Sequence, residues 1–117
     1  MQINTGPKGS GIAGEALAAY RAIKLHTDGT LIYAAAGDRP LGFTQESFAS
    51  GAEVTYVRPH GSWLWEVSGS IARGDYAKCG ADGVCVVETT NTTPTAFTVG
   101  QVRVTRTTGL PAEVEAC

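Results

Sequence analysis

The sequence predicts an all-β fold, and three observations carry that prediction. The composition favours strands and turns, turn signals recur at short intervals, and the second half of the chain echoes the first. Gly (15 residues), Thr and Val are abundant, whereas Leu, Glu and Lys, which sustain long helices, are scarce. At 117 residues the chain has the length of one domain, with hydrophobic residues (43%) sufficient for one modest core. The expected architecture is a small β-barrel, tulip-like in outline, assembled from two related hairpin units with at most one short helix. It is expected over residues 12–117, behind an extended N-terminal arm over 1–11.

The arm follows from Gly6, Pro7, Gly9, Ser10 and Gly11, a composition that sustains neither a helix nor a central strand. Fully extended, it reaches ~36 Å at about 3.3 Å per residue, and it reads either as an arm laid on a neighbour or as a frayed terminus. From Ile12 to Ala22 both a helical turn and an extended strand fit the residues. Ala22-Ile23-Lys24-Leu25 and Thr30-Leu31-Ile32-Tyr33-Ala34 flank Asp28-Gly29, which spells a hairpin because Gly accepts the positive φ such turns require. Gly37-Asp38-Arg39-Pro40 turns the chain into Leu41-Gly42-Phe43-Thr44, and Ser50-Gly51-Ala52-Glu53 turns it into Val54–Arg58. After Pro59-His60-Gly61-Ser62, Trp63, Trp65 and Val67 alternate on one strand face. Val99–Thr107 reads as the last strand, and Gly109, Pro111 and the tail Ala112–Cys117 end the fold.

The echo rests on spacing. Leu17-Ala18, Lys24 and Asp28-Gly29 are matched at the same intervals by Ile71-Ala72, Lys78 and Asp82-Gly83. Further on, Leu41–Thr44 is matched by Val99–Val102, displaced by four residues in the Thr-rich stretch Thr89–Thr98, which reads as a surface loop. Two such units would pair their edges with each other, closing the barrel and removing exposed edges.

Signals for chemistry are weak. No glycine loop of phosphate-binding type and no Gly-x-Ser-x-Gly elbow is present, and His26 and His60 both stand beside turn residues. Cys79, Cys85 and Cys117 lack metal-site spacing; Cys79 and Cys85 would pair only if they face each other across the intervening turn, and reduced, partly buried thiols are the simpler expectation. Asp28, Asp38, Asp75 and Asp82 all adjoin Gly, where their carboxylates accept backbone hydrogen bonds, so Arg73-Gly74-Asp75 reads as a turn ahead of an adhesion motif. Nine basic residues are dispersed among eleven acidic ones, for a net charge of -2, which argues against nucleic-acid binding. No apolar run approaches the ~20 residues that cross a bilayer, and Met1–Gly6 lacks the regions of a signal peptide, so no membrane partner and no standard secretion are expected. Neither catalytic residues, nor a metal, nor a cofactor is expected. Trp63 and Trp65 are expected to divide, one in the core and one near a partner surface; together and exposed, they would instead form the platform of a carbohydrate- or protein-binding module.

Residues 12–87 carry a resemblance. The order Ala22-Ile23-Lys24, Asp28-Gly29, Gly37-Asp38-Arg39-Pro40-Leu41-Gly42-Phe43-Thr44, Gly51-Ala52-Glu53-Val54-Thr55 and Ile71-Ala72-Arg73-Gly74-Asp75-Tyr76-Ala77-Lys78 resembles the small capsid decoration, or cement, proteins of tailed bacteriophages. The resemblance implies a non-enzymatic virion protein on the outer surface of the head, assembled in the bacterial host cytoplasm. It implies the major capsid protein and further copies of the chain, often as a homotrimer, as partners. On that reading Ile3, Asn4, Pro7, Lys8, Ile12, Arg58, Trp63 and Trp65 are the candidate residues for the capsid or self-association interface.

Overall fold

The computed structural model describes residues 8–59, 61–69, 71–87, 98–103 and 111–116. In order these form β1 (Lys8–Ile12), β2 (Ala22–Leu25), β3 (Leu31–Tyr33), β4 (Gly42–Thr44), β5 (Glu53–Val57), β6 (Ser62–Glu66), β7 (Tyr76–Cys79), a 3-10 turn (Ala81–Gly83), β8 (Cys85–Val87), β9 (Gly100–Val102) and β10 (Pro111–Ala116). The fold is all-β, as expected, but it is not a closed barrel. Two five-stranded antiparallel sheets run β1-β5-β4-β2-β3 and β6-β10-β9-β7-β8.

The two orders are one order repeated. Lys8, Ala22 and Leu31 open β1, β2 and β3; Ser62, Tyr76 and Cys85 open β6, β7 and β8, each 54 positions later. Gly42 and Glu53 open β4 and β5; Gly100 and Pro111 open β9 and β10, each 58 positions later. Register follows: Gly9 opposes Tyr56 as Trp63 opposes Val114, and the isolated bridge Ala13–Leu31 recurs as Val67–Cys85. Tyr20 and Gly74 hold the same positive-φ corner, each donating its N–H to the end of the adjacent strand, at Thr44 O and Val102 O. The echo is therefore a five-stranded unit occurring twice, larger than the hairpin expected.

Several expectations are corrected by this arrangement. Between Ile12, which ends β1, and Ala22, which opens β2, the chain forms neither a helical turn nor a strand; it bridges to Leu31 at Ala13 and to Phe48 at Leu17. The segment from Pro111 is an interior strand, β10, between β6 and β9. Its alternation of Ala112 and Val114 with Glu113 and Glu115 is strand-like, and Pro111 is tolerated because it is the first strand residue. Lys8–Ile12, inside the segment expected as an arm, is paired along β5; residues 1–7 lie outside the described residues. Edge position suits Gly9-Ser10-Gly11, which would weaken a central strand.

Each unit buries the same inner face. Ala13, Leu17, Ile23, Leu31, Val54 and Tyr56 form one cluster, and their equivalents Val67, Ile71, Ala77, Cys85, Ala112 and Val114 are all buried in the other. The difference lies at β1 and β6. A Cβ at Gly9 would meet the Tyr56 ring, and one at Gly11 would meet Leu31. The second unit has the smaller Val114 and Cys85 at those places and carries Trp63 and Trp65 instead of glycines. The outer face of the first sheet closes over the two indoles: Phe43 stacks on Trp63 with centroids 4.6 Å apart and meets Trp65 edge-on at 4.8 Å, and Ala22 and Val57 join the same cluster. The sheets thus stack back to front and do not join edges.

Polar contacts lock the stack. Arg21 Nη2 donates to Glu66 Oε2 at 2.8 Å, its Nη1 donates to Asp82 O at 3.1 Å, and its guanidinium lies 5.6 Å from the Tyr33 ring centroid. Glu66 N–H donates to Tyr20 O at 2.7 Å, Gln45 Nε2 to Leu64 O at 3.2 Å, and Gly37 N–H to Cys79 O at 2.9 Å. Arg21→Ala removes a half-buried, charge-assisted contact that joins the two units, and a loss of about 1.5–3 kcal/mol is expected in chemical denaturation. A loss below about 0.5 kcal/mol would mean that the ion pair behaves as an ordinary surface pair.

Candidate functional site

The polar residues that looked structural are structural. Asp28 Oδ1 accepts from Thr30 N–H at 2.9 Å and Thr30 Oγ1 at 2.6 Å, and these bonds hold its carboxyl down to about pKa 2. Asp38 Oδ2 accepts from Ala35 N–H and faces Lys24 Nζ at 3.1 Å, which lowers its pKa, and Asp75 Oδ2 accepts from Ala72 N–H. Asp82 instead takes a positive φ of 55° in the 3-10 turn. His26 Nδ1 stands 3.1 Å from Asp28 Oδ1, but the neighbouring hydroxyl of Thr30 bonds the carboxylate and not the imidazole, so the trio is not a nucleophile with its base. His60 lies outside the described residues.

Cys79 and Cys85 face each other in register, and both are free and buried. Burial pushes the Cys79 thiol up to about 12 and raises that of Cys85 as well, so both are neutral and poor nucleophiles at ordinary pH. Among the described residues no three His, Cys, Asp or Glu side chains gather as a metal site.

The eight interface candidates separate into three groups. Ile3, Asn4 and Pro7 lie outside the described residues. Lys8, Ile12 and Arg58 fall along β1 and its partner: Lys8 opens β1 opposite Val57, Arg58 follows Val57 with its guanidinium 5.6 Å from the Tyr56 ring centroid, and Ile12 ends the strand 46% exposed. Trp63 and Trp65 do not join them. Both are fully buried, which corrects the expectation that one ring sits near a partner surface and removes the exposed platform of a glycan-binding module. The reason is the stack: β6 is an edge strand within its own sheet, but the first sheet lies over its aromatic face.

Among the described residues no strand pairs with the outer edge of β1, and such an edge, with little reactive chemistry beside it, can bind a partner. The fold has a solved counterpart in a bacteriophage. It is similar to the crystal structure of the head fiber gp8.5 N base of bacteriophage phi29, with a TM-score of 0.78 over 95% of this chain and 93% of that one. The two sequences are 18% identical, so the likeness is one of fold. No family model matches the chain, and no curated protein matches it.

Three features had no accessible signal in the sequence reading. Arg21 gave none, because its partners Glu66 and Asp82 are far along the chain. The covering of the β6 edge gave none, because it depends on backbone atoms of Tyr20 and Leu64. The exposure of Leu25, 62%, gave none either: the equivalents of Ile23 and Leu25, Ala77 and Cys79, are both small, yet Ile23 is fully buried.

Proposed function

We propose that this chain is a structural protein of a phage head, carried on the outer surface of the shell, where it bridges and cements adjacent copies of the major capsid protein. The observation that supports this reading is the fold likeness to a head fiber base over nearly the full length of both chains. The decoration-protein resemblance of residues 12–87 points to the same location. Such a task needs repeated surface contact and no reaction. Many weak contacts over a shell act together, because detachment of a lattice-bound subunit must break all of them.

The test is binding to emptied, expanded phage heads. Purified chain is expected to sediment with the heads at a saturating, fixed copy ratio and to raise the temperature at which they open. Binding without saturation, or no binding, would count against the proposal. Because the first described strand starts at Lys8, removal of residues 1–7 separates arm from fold. That truncation is expected to weaken head binding while leaving the melting of the free chain within a few degrees. A large fall in melting with no change in head binding would deny the arm a docking role.

A further inference from the structure

The internal stack shows what a partner does to the front rim of one unit, and the same rim recurs uncovered on the other. In the second unit the rim consists of Trp63, Leu64, Trp65 and Glu66 on β6 and of Cys79 at the end of β7. The first unit covers it: Glu66 N–H, Leu64 O and Cys79 O are bonded by Tyr20, Gln45 and Gly37, and the side chain of Cys79 is fully buried. The equivalent atoms in the first unit are Ile12 N–H, Ser10 O and Leu25 O. Among the described residues no unit lies over them. Ile12 (46%) and Leu25 (62%) are the exposed large hydrophobic residues of the described chain, and both sit on this rim.

The other strand edges differ. That of β3 is met by Ala13, Gly14 and Glu15, with Glu15 Oε2 accepting from Tyr33 N–H; that of β8 is met at Cys85 by Val67 and Ser68. The β6 edge is covered by Tyr20 and Gln45. The β1 edge carries none of the devices that blunt an exposed edge from Gly9 to Ile12: no proline, no charge and only small residues before Ile12. Gly9, Gly11 and Ala13 face β5, so the N–H and C=O of Ser10 and the N–H of Ile12 point outward.

We propose that this rim is a self-association surface, in which β1 of a second copy pairs antiparallel with β1 across a two-fold axis, Ser10 opposite Ser10. Among the described residues a second copy offers no other such edge. The back of its second unit, which would continue the stack, presents Tyr76, Gln101 and Glu115 where the first presents Ala22, Phe43 and Val57 to the indoles. That polar face ends the stack, as the outer face of a terminal repeat does. What remains is its own front rim, and a contact between identical surfaces closes at two copies. The register is also complementary in charge: it sets position 8 of one copy, a lysine, opposite Ile12 of the other, whose partner on β5 is Glu53. The inference does not depend on the head-protein reading.

Sedimentation equilibrium on the full chain, from about 10 µM to about 1 mM, reads the proposal in the range expected of a small interface. The average mass is expected to rise from 12.2 kDa toward twice that value and no further. Ser10→Pro removes an outward N–H and leaves the β1–β5 bonds in place, and Leu25→Lys charges the rim; each is expected to weaken association at least tenfold while melting of dilute protein stays within a few degrees. Glu115→Lys, on the opposite face, breaks an exposed ion pair with Arg103 and is expected to leave association unchanged. A chain that stays monomeric would overturn the proposal and assign the rim to a strand of a different protein. A mass passing through two copies to three, the number the decoration-protein resemblance implies, or association lost in Glu115→Lys, would overturn it as well.

Discussion

Trp65→Ala is expected to destabilise the chain by about 3–5 kcal/mol, the cost of deleting a buried large aromatic side chain. The indole is fully buried, meets Phe43 edge-on at 4.8 Å, and donates from Nε1 to Gly83 O at 2.8 Å. Truncation therefore opens a cavity between the two sheets and leaves a buried carbonyl without its donor, two penalties that add. In a domain whose whole stability is about 5–15 kcal/mol, this brings the folded state near its limit. Urea denaturation followed by far-ultraviolet circular dichroism measures it. A loss under about 1 kcal/mol would show that the aromatic cluster is not what joins the sheets.

The second large effect sits at Gly83. Its φ is +73°, and a Cβ there would run into the backbone carbonyl oxygen of Ala22. Gly83→Ala combines the cost of a left-handed backbone, about 1–2 kcal/mol, with that of forced overpacking, about 1–3 kcal/mol. The sum is expected near 2–5 kcal/mol. Gly29 supplies the internal control, because it holds the equivalent turn position with φ +88° and nothing within 4 Å of its ideal Cβ. Gly29→Ala should show the backbone cost alone. The difference between the two variants measures how tightly the turn before β8 is pressed on β2, and equal losses would mean that the sheets separate to make room.

This pair also shows where sequence reasoning stops. Asp28-Gly29 and Asp82-Gly83 look alike along the chain, and the spacing around them correctly marked two copies of one unit. The first turn stands in open space and the second against the backbone of the other unit. The same holds for Gly9-Ser10-Gly11 and Trp63-Leu64-Trp65. Their kinship is invisible as residues, since glycine and tryptophan share no chemistry. It appears only in the register, where Tyr56 and Leu31 occupy the space on one side and the two indoles occupy it on the other.

The β10 strand failed to stand out for a local reason. Pro111 opens it, and Glu113 and Glu115 interrupt its short apolar positions, so the segment looks like a tail until β6 and β9 pair on either side of it. Of the candidate interface residues, Ile12 kept its exposure because β1 lies at an edge, whereas Trp63 and Trp65 lost theirs because a second sheet lies over them.

Alternation and turn chemistry are local properties, so the chain on its own determined the β class, most strand positions, the duplicated spacing and the turn roles of its aspartates. Which sheet face is covered, which strand edge is left bare among the described residues and which aromatic rings reach a surface depend on contacts between residues 19 to 61 positions apart. Those were decided only when one unit came to rest on the other, because burial belongs to the pair of surfaces and not to either segment.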